Sequence, residues 1–141
     1  MYNRKIPEII GVDAATIRLL DASGKNLKLK AAYGLSQAYL ARGPLDEELA
    51  TYYLKKGEPV VIPDAKTDVY TIYHKEAQAE GISSILAVPI TVLDETIGIL
   101  RLLKEEIHYF STAEINFAMA VAEQGGVAIQ RALDYSKLKK I

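Results

Sequence analysis

Hydrophobic and polar residues follow one another along this chain in patterns that predict a central hairpin. From Ser84 to Leu93 both alternate sets of residues are largely apolar, which predicts a strand covered on both faces. A second apolar run extends from Thr96 to Leu103, after the polar pair Asp94-Glu95. Two such runs joined by two polar residues predict a hairpin at the centre of a sheet. Because Pro89 has no N–H for the ladder, we expect a bulge or an unpaired position there.

Three further segments have the alternation or the bounding turns of strands. The segment 14–21 places Ala15, Ile17 and Leu19 on one face, and 60–62 is a short apolar strand ended by Pro63. The segment 27–33 alternates strictly, and lysines occupy its polar face. This pattern is typical of an edge strand whose charges discourage pairing with another chain. Its inward set is predicted to be Leu27, Leu29, Ala31 and Tyr33.

Capping residues and charge order predict three helices between the strands. Ser36 can cap a short helix over 37–42. Pro44 begins a second helix, whose first turn is acidic, whose last turn contains two lysines and which Gly57 closes. A third helix is expected over roughly 71–80.

The last helix begins at a capping box. Ser111 is placed to cap the helix, Glu114 to reach back, and Phe110 to pack on Ile115. The helix should run about 25 residues, which is longer than a domain of this size needs. The pair Gly125-Gly126 lies inside it, and each glycine costs about 1 kcal/mol relative to alanine. We therefore predict a close contact that forms a dimer, although a crossing within one chain stays open; the predicted dimer residues are Val121, Gly125, Gly126, Ala128, Ala132 and Leu133.

Composition narrows the class of protein. The chain has 141 residues, half of them hydrophobic and a quarter charged, which fits one globular domain with a real core. Its net charge of −1 and its scattered lysines and arginines predict no nucleic-acid partner and no membrane contact. The absence of cysteine excludes disulfides, thiolate catalysis and cysteine-ligated metals. The two histidines lack metal-site spacing, so we expect no metal and no cofactor. A chain without cysteine leaves the compartment open, and a cytoplasmic location fits it best.

Six segments, in this order, resemble the GAF domain family over nearly the whole chain: AATIRLLD (14–21), AAYGLS (31–36), KKGEPVVIPDA (55–65), EGISSILAVPI (80–90), IGILRL (97–102) and FSTAEI (110–115). The resemblance implies an α+β fold of GAF/PAS type. Its antiparallel sheet would have five or six strands in order 2-1-5-4-3, with helices on both faces. It implies a sensory domain over 11–135, preceded at 1–10 by the end of an N-terminal helix. Residues 136–141 would then begin a linker helix to an absent output domain.

The resemblance also implies a function in signal transduction. Members of the family sense small molecules or light, or dimerise, inside larger signalling proteins such as histidine kinases and cyclases. Cysteine-linked bilins and methionine sulfoxide reductase activity do not fit a chain without cysteine. The motif of cyclic-nucleotide binders is incomplete, since Leu103 and Ala113 replace its Asn and Asp although Lys104, Phe110 and Glu114 match. No nucleophile–base pair is evident, so we expect no enzyme activity.

In this family the ligand lies on one sheet face under the middle helices. Tyrosines concentrate on the corresponding segments, and their rings and hydroxyls suit a partly polar ligand. The expected ligand-binding residues are Tyr33, Tyr52, Tyr53, Ile62, Asp64, Tyr70, Tyr73, Ile85 and Ala87. Two alternatives stay open, because the tyrosines can simply fill the space and Asp64 can cap a turn. The function expected is a sensor of an unknown small molecule that forms a homodimer through its terminal helices; the alternative is a ligand-free structural dimerisation module.

Overall fold

A computed structural model of the protein describes residues 11–24, 26–41, 54–65 and 74–139. These residues contain one antiparallel sheet, whose strands are β1 (Ala14–Leu20), β2 (Leu27–Tyr33), β3 (Val60–Ile62), β4 (Ser84–Val92) and β5 (Glu95–Lys104). The helices in the same ranges are α1 (Gln37–Leu40), α2 (His74–Glu80) and α3 (Thr112–Lys139). The predicted N-terminal helix at 1–10 lies outside the described residues, as does most of the predicted helix that begins at Pro44.

The strand order is β2-β1-β5-β4-β3, which confirms the predicted order. The doubly apolar strands β4 and β5 pair along nearly their whole length and lie inside the sheet. Strands β2 and β3 are the two edges, and both lysines of β2 are exposed. The lysine face of β2 therefore predicts its place at an edge of the sheet, where water reaches the charges.

Each face of the sheet carries its own hydrophobic core. One core joins Leu86, Val88 and Ile90 of β4 to Ala118 and Ala122 of α3. The opposite core joins residues of β1, β3, β4 and β5 to Tyr39 of α1 and Ala77 of α2, and it also takes in Leu54, Ala65 and Ile82. Alternate residues of β4 thus pack in different cores, as its doubly apolar pattern predicts.

The turn of the central hairpin differs from the prediction by one residue. Val92 pairs with Glu95, so the two turn residues are Leu93 and Asp94 rather than Asp94 and Glu95. Both have positive φ, at 51° and 65°, as a type I′ turn requires. The sequence pattern missed this turn because leucine is a poor residue for that conformation.

Of the two local features expected at Pro89, the structure has the unpaired position, on the side of β4 that faces β3, and no bulge at the proline itself. It pairs with Ile99, and the register shift lies beyond it, between Ile90 and Thr91. Strand β3 pairs with β4 only as far as Ala87, so β4 has no described strand partner on that edge beside Pro89. The proline therefore lies next to an edge position, where a missing N–H is tolerated.

A bulge in β2 corrects the predicted inward set of that strand. Ile17 pairs with Ala31 but Arg18 pairs with Leu29, which leaves Lys30 as an extra residue. The extra residue moves the second half of β2 to the opposite face. Leu29 therefore shares a face with Arg18, whereas Tyr33 shares a face with Ala15 and the α3 core.

Helix α3 begins as the capping box predicts and runs for 28 residues. The Glu114 N–H donates to Ser111 Oγ at 3.1 Å, and the Ser111 N–H donates to Glu114 Oε1 at 2.8 Å. Phe110 and Ile115 pack in the same core, as a hydrophobic staple requires. No helix among the described residues is long and apolar enough to cross a membrane.

Candidate functional site

The sheet face under α1 and α2 can be described as three rows of side chains, because paired residues in an antiparallel sheet point to the same side. The first row is Ala14, Leu103, Ile85 and Ile62. The second row is Ala32, Thr16, Arg101, Ala87 and Val60, and the third is Leu29, Arg18, Ile99 and Pro89. The first row is wholly apolar, and the polar residues gather in the other two. We refer to Thr16, Arg18 and Arg101 as the polar patch of this face.

The polar patch is buried although two of its three members are cationic. Arg101 is 4% exposed, Arg18 8% and Thr16 3%. Thr16 lies directly across from Arg101, and Arg18 is two residues further along β1 on the same face. The two arginines are therefore diagonal neighbours, at a spacing of about 7–8 Å between backbone positions. Buried arginines are rare and mark a function or a specific ion pair more often than surface arginines do.

Small side chains surround Arg101 in its row. Thr16 and Ala87 are its partners on the two adjoining strands, and Ala32 and Val60 end the row. The Thr16 Oγ1 atom is buried and has no hydrogen-bond partner within the described part of the chain. A buried hydroxyl without a partner is uncommon, and it indicates a group that a bound molecule can satisfy.

Three of the predicted ligand-binding residues lie together on this face. Ile62, Ile85 and Ala87 are each no more than 2% exposed and belong to one core. Asp64 is half-buried just after β3, in the loop between Pro63 and Ala65. Tyr33 does not lie with them, because the bulge in β2 turns it to the opposite face, and its role in ligand binding stays a prediction. Tyr52, Tyr53, Tyr70 and Tyr73 lie outside the described residues.

Of the predicted dimer residues, two contact the sheet of their own chain, two do not, and the side chains of two lie outside the described residues. Gly126 faces the sheet of its own chain, because a Cβ built on it would lie 2.9 Å from Thr91 O. Val121 packs against the α3 core as well. Both therefore contact the sheet of their own chain, which fits the open alternative of a crossing within one chain at Gly126, and their part in a dimer stays a prediction. Gly125 has no atom within 4 Å of a built Cβ, and Ala128 is exposed. The side chains of Ala132 and Leu133 lie outside the described residues.

Hydrogen bonds of Ser84 connect the β3 end of the site to the start of α3. Ser84 Oγ donates to Pro63 O at 2.5 Å and accepts from the His108 N–H at 2.7 Å. The Ala65 N–H donates to Ser83 O at 2.6 Å. Asp64 lies between Pro63 and Ala65. A displacement of this loop would therefore be transmitted to His108, which precedes α3, through the two hydrogen bonds of Ser84 Oγ.

His108 and Glu114 lie close together at the start of α3. His108 Nε2 lies 3.0 Å from Glu114 Oε1, and the His108 ring makes an edge contact with Phe110 at 4.9 Å. Burial raises the pKa of Glu114, but the hydrogen bond from the Ser111 N–H and the contact with His108 outweigh it and lower this pKa below its usual value. The carboxylate that caps α3 is therefore held in its ionised form. Among the described residues no group of three or more histidine, aspartate or glutamate side chains could hold a metal ion.

Sequence reasoning missed the polar patch. Arg101 follows four largely apolar residues and precedes two leucines. A strand with this pattern is covered on both faces, so neither face would expose the arginine to solvent. The same signal was present for Arg18, which lies between Ile17 and Leu19. A charge inside an apolar strand that is buried on both faces is thus the pattern that would have found both residues.

An antiparallel sheet of five strands in the order β2-β1-β5-β4-β3, with helices packed on both faces, is the architecture of a class of α+β regulatory domains. The sequence model of the GAF domain family matches residues 4–130. This chain therefore belongs to the GAF domain family, whose members are sensory and regulatory domains of signalling proteins. No curated protein matches it.

Solved structures with this fold come from several kinds of protein. A domain assigned to a two-component sensor histidine kinase of Sinorhizobium meliloti 1021 has a TM-score of 0.81 and 24% identity, covering 95% of this chain and 90% of that chain. The GAF domain of a phosphoenolpyruvate-protein phosphotransferase from Coxiella burnetii has a TM-score of 0.82 and 22% identity, covering 96% and 82%. A GAF domain from Synechocystis sp. PCC6803, solved in its photoproduct state, has a TM-score of 0.74 and 17% identity, covering 96% and 93%. At these identities the likeness concerns the fold.

Proposed function

We propose that this chain is a small-molecule-sensing regulatory domain of a cytoplasmic signalling protein, such as a histidine kinase or a cyclase, and that it has no enzyme activity of its own. The observation that carries this proposal is the polar patch, because three polar side chains, two of them charged, are buried on the sheet face that the middle helices cover. A face that served only to pack helices would be expected to be apolar throughout.

The output of such a sensor would be the long helix α3 on the opposite face. Strand β4 joins the two sides, since Ile85 and Ala87 pack toward the site while Leu86 and Val88 pack toward the α3 core. A ligand that moves β4 or the Asp64 loop would therefore change the packing under α3. The pair of hydrogen bonds at Ser84 gives a second connection to the same end of the helix.

Native mass spectrometry of the protein purified from its source organism would test this proposal. We expect a species heavier than the polypeptide that loses a small molecule when the protein is denatured. The control is the same chain refolded from denaturant, which should have the mass of the polypeptide alone. A natural preparation that carries no added mass and is stabilised by no compound of a metabolite panel would contradict the proposal.

The second candidate is a ligand-free dimerisation module, which an exposed stripe on α3 favours. Ala113, Phe117, Ala120 and Val127 are all exposed and recur at spacings of four, three and seven residues. Phe117 is 36% exposed and Val127 41%. A repeat of this period is the seam of a two-stranded coiled coil. We propose a homodimer through this stripe for either function, since a sensor and a structural module can both use it.

A further inference from the structure

The exposed stripe of α3 contains one polar residue. Gln124 is exposed and lies four residues after Ala120 and three before Val127. From residue 113 to residue 127 the stripe therefore advances in alternating steps of four and three residues, which is the a/d repeat of a coiled coil. We propose that two copies of the chain pair along this stripe in parallel and in register, with Gln124 of one copy hydrogen-bonded to Gln124 of the other. This inference rests on the homodimer proposed above and specifies how its two helices meet.

The stripe faces away from the sheet of its own chain. On the buried side of α3, Ala118 and Ala122 belong to the core, and a Cβ built on Gly126 would lie 2.9 Å from Thr91 O. Successive residues of an α-helix are roughly 100° apart around its axis, so the stripe lies on the opposite side of α3 from these three residues. A second helix can therefore lie along the stripe while α3 stays packed on β4.

A second copy of the chain is the partner that this stripe fits. A glutamine side chain carries both donors and an acceptor, so two glutamines that face each other satisfy one another. In a parallel two-fold pair each position of the stripe meets its own counterpart, which brings the two Gln124 side chains together without any further residue. Phe117 and Val127, which are 36% and 41% exposed, would meet in the same way and bury apolar surface. A shifted pair would leave both amides against apolar side chains, so the glutamine also selects one register.

The charges beside the stripe favour the parallel orientation. Glu123 flanks Gln124 and is exposed. In a parallel pair Glu123 lies beside Ala128 of the second copy, because a g position faces the e position of the next repeat. An antiparallel pair that matched the two Gln124 residues would bring both Glu123 carboxylates to the same side of the seam, where like charges repel each other. The other antiparallel register, centred on Ala120, would place the Gln124 amide against Phe117.

Arg131 sets the limit of the stripe. It is exposed and occupies the next position of the repeat, four residues after Val127. In a parallel pair the two Arg131 residues would face each other, but the long stem of an arginine can carry its guanidinium to the side of the seam and into water. The proposed seam therefore extends from residue 113 to residue 127.

Disulfide cross-linking tests the orientation, because the chain has no cysteine of its own. The variants are Ala113→Cys and Val127→Cys, both in the stripe. The matched control is Thr112→Cys, which is exposed on α3 but turned away from Ala113 by roughly 100°. Each protein is oxidised by itself at low concentration and separated by non-reducing electrophoresis. We expect both stripe variants to form a covalent dimer at least about tenfold faster than the control, because the paired helices hold two identical positions within disulfide distance.

Two results would overturn the parallel pair and leave the homodimer intact. One is a cross-link that forms only when Ala113→Cys and Val127→Cys are mixed, since these positions meet in the antiparallel pair centred on Ala120. The other is a parent protein that sediments as a dimer although neither stripe variant cross-links faster than the control. A parent that is monomeric at all concentrations would remove the homodimer and this inference together. Native mass spectrometry decides the sensing proposal separately from all of these results.

A change of charge tests the role of Gln124. Gln124→Glu would place two carboxylates face to face in the seam, and Thr112→Glu adds the same charge away from it. We expect the dissociation constant of the dimer, measured by sedimentation equilibrium, to rise about tenfold or more in Gln124→Glu and to change less than about twofold in Thr112→Glu. An unchanged constant in Gln124→Glu would contradict the contact between the two glutamines. Because Gln124 is exposed in the single chain, the substitution should leave the protomer folded, which circular dichroism verifies.

Discussion

At the residue scale, the clearest mismatch between residue type and backbone conformation is at the tip of the β4–β5 hairpin. Leu93 is 96% exposed and has a φ of 51°, followed by Asp94 at 65°. A residue with a Cβ loses roughly 1–2 kcal/mol in this left-handed region, which Asn and Gly occupy more easily. The hairpin therefore keeps a residue whose side chain gains nothing from burial and whose backbone is strained.

Replacing the turn by its preferred sequence should relieve that strain. We expect Leu93→Asn combined with Asp94→Gly to raise the free energy of unfolding by about 1–2 kcal/mol, since Asn-Gly is the favoured type I′ pair. Urea denaturation measures the change. Leu93→Ala is the control, because it removes the exposed leucine but keeps a Cβ at positive φ, and it should give little or no gain. A double variant no more stable than the parent would show that the turn is unstrained.

The Glu114 carboxylate makes the stability of the protein depend on acid pH. Its pKa is lowered in the folded protein, because the hydrogen bond from the Ser111 N–H and the contact with His108 outweigh the effect of burial. The stabilising contribution is therefore fully present above the usual glutamate pKa and is lost as the pH falls through the lowered value. We expect Glu114→Gln to be less stable than the parent at neutral pH and to differ from it less as the pH falls below about 4.5. A difference between the two proteins that stays constant from pH 7 to pH 3 would contradict this, as measured by urea denaturation across that range.

At the element scale, α3 depends on its cap and on its fit against β4. The capping box ties the Ser111 side chain to the backbone of the first turn, and the Glu114 side chain returns to the Ser111 N–H. These bonds satisfy two of the four N–H groups that a helix start leaves without partners. Further along, the α3 backbone comes close to β4 at Gly126, beside Ile90 and Thr91.

Removing the cap should weaken α3 measurably. We expect Ser111→Ala to lower the free energy of unfolding by about 1 kcal/mol, since it removes the acceptor of the Glu114 N–H. Thr112→Ala is the matched control, because that hydroxyl is the next along the chain and is exposed at the first helical position. Chemical denaturation should separate the two variants; equal midpoints would mean that the cap contributes nothing.

The two glycines of α3 should respond in opposite directions to the same substitution. Gly125→Ala places a methyl group in open space and should stabilise the helix by up to about 1 kcal/mol. Gly126→Ala places it 2.9 Å from Thr91 O and 3.2 Å from Ile90, so α3 must move away from β4. We expect a loss of about 1–3 kcal/mol there, as for other overpacked contacts. Thermal unfolding of the two variants provides the comparison, and a stabilising Gly126→Ala would refute the close packing.

The sequence predicted these elements well because their patterns are local. The alternation in β4 and β5, the lysines of β2 and the cap of α3 each depend on a few neighbouring residues, and the family resemblance supplied the strand order. The bulge at Lys30 and the leucine in the turn were not predictable in this way, since each is decided by how two strands meet. The polar patch was missed for a related reason, because Arg18 and Arg101 become neighbours only through the register of β1 and β5.

At the scale of the whole molecule, the site and the exposed stripe of α3 lie on opposite sides of one sheet. Among the described residues the sheet lies between the site and the buried face of α3, so a signal from the site to α3 would pass through strands or their connecting loops. A helix of 28 residues extends for about 42 Å, which gives α3 length beyond its contacts with β4. This length is available for pairing with a second copy of the chain.

Charge placed on the exposed stripe should prevent that pairing. We expect the parent protein to sediment as a dimer and Phe117→Glu with Val127→Glu to sediment as a monomer, because like charges would face each other across the seam. Ile107→Glu is the control, since Ile107 is 58% exposed but lies before α3. A dimeric double variant would place the interface elsewhere, and a parent that is monomeric at all concentrations would end the dimer proposal.

The strand order has a consequence for the time course of folding. Strands β4 and β5 are joined by a two-residue turn and can pair early, and α3 follows directly in the chain to cover them. The pairing of β1 with β5 instead joins residues 79 to 89 positions apart, so it carries a larger loop-closure entropy and should form late. Arg18 and Thr16 come from β1 and Arg101 from β5, so the polar patch is completed by that late step. We therefore expect substitutions in β1 to change mainly the unfolding rate and those in β4 to change the folding rate as well.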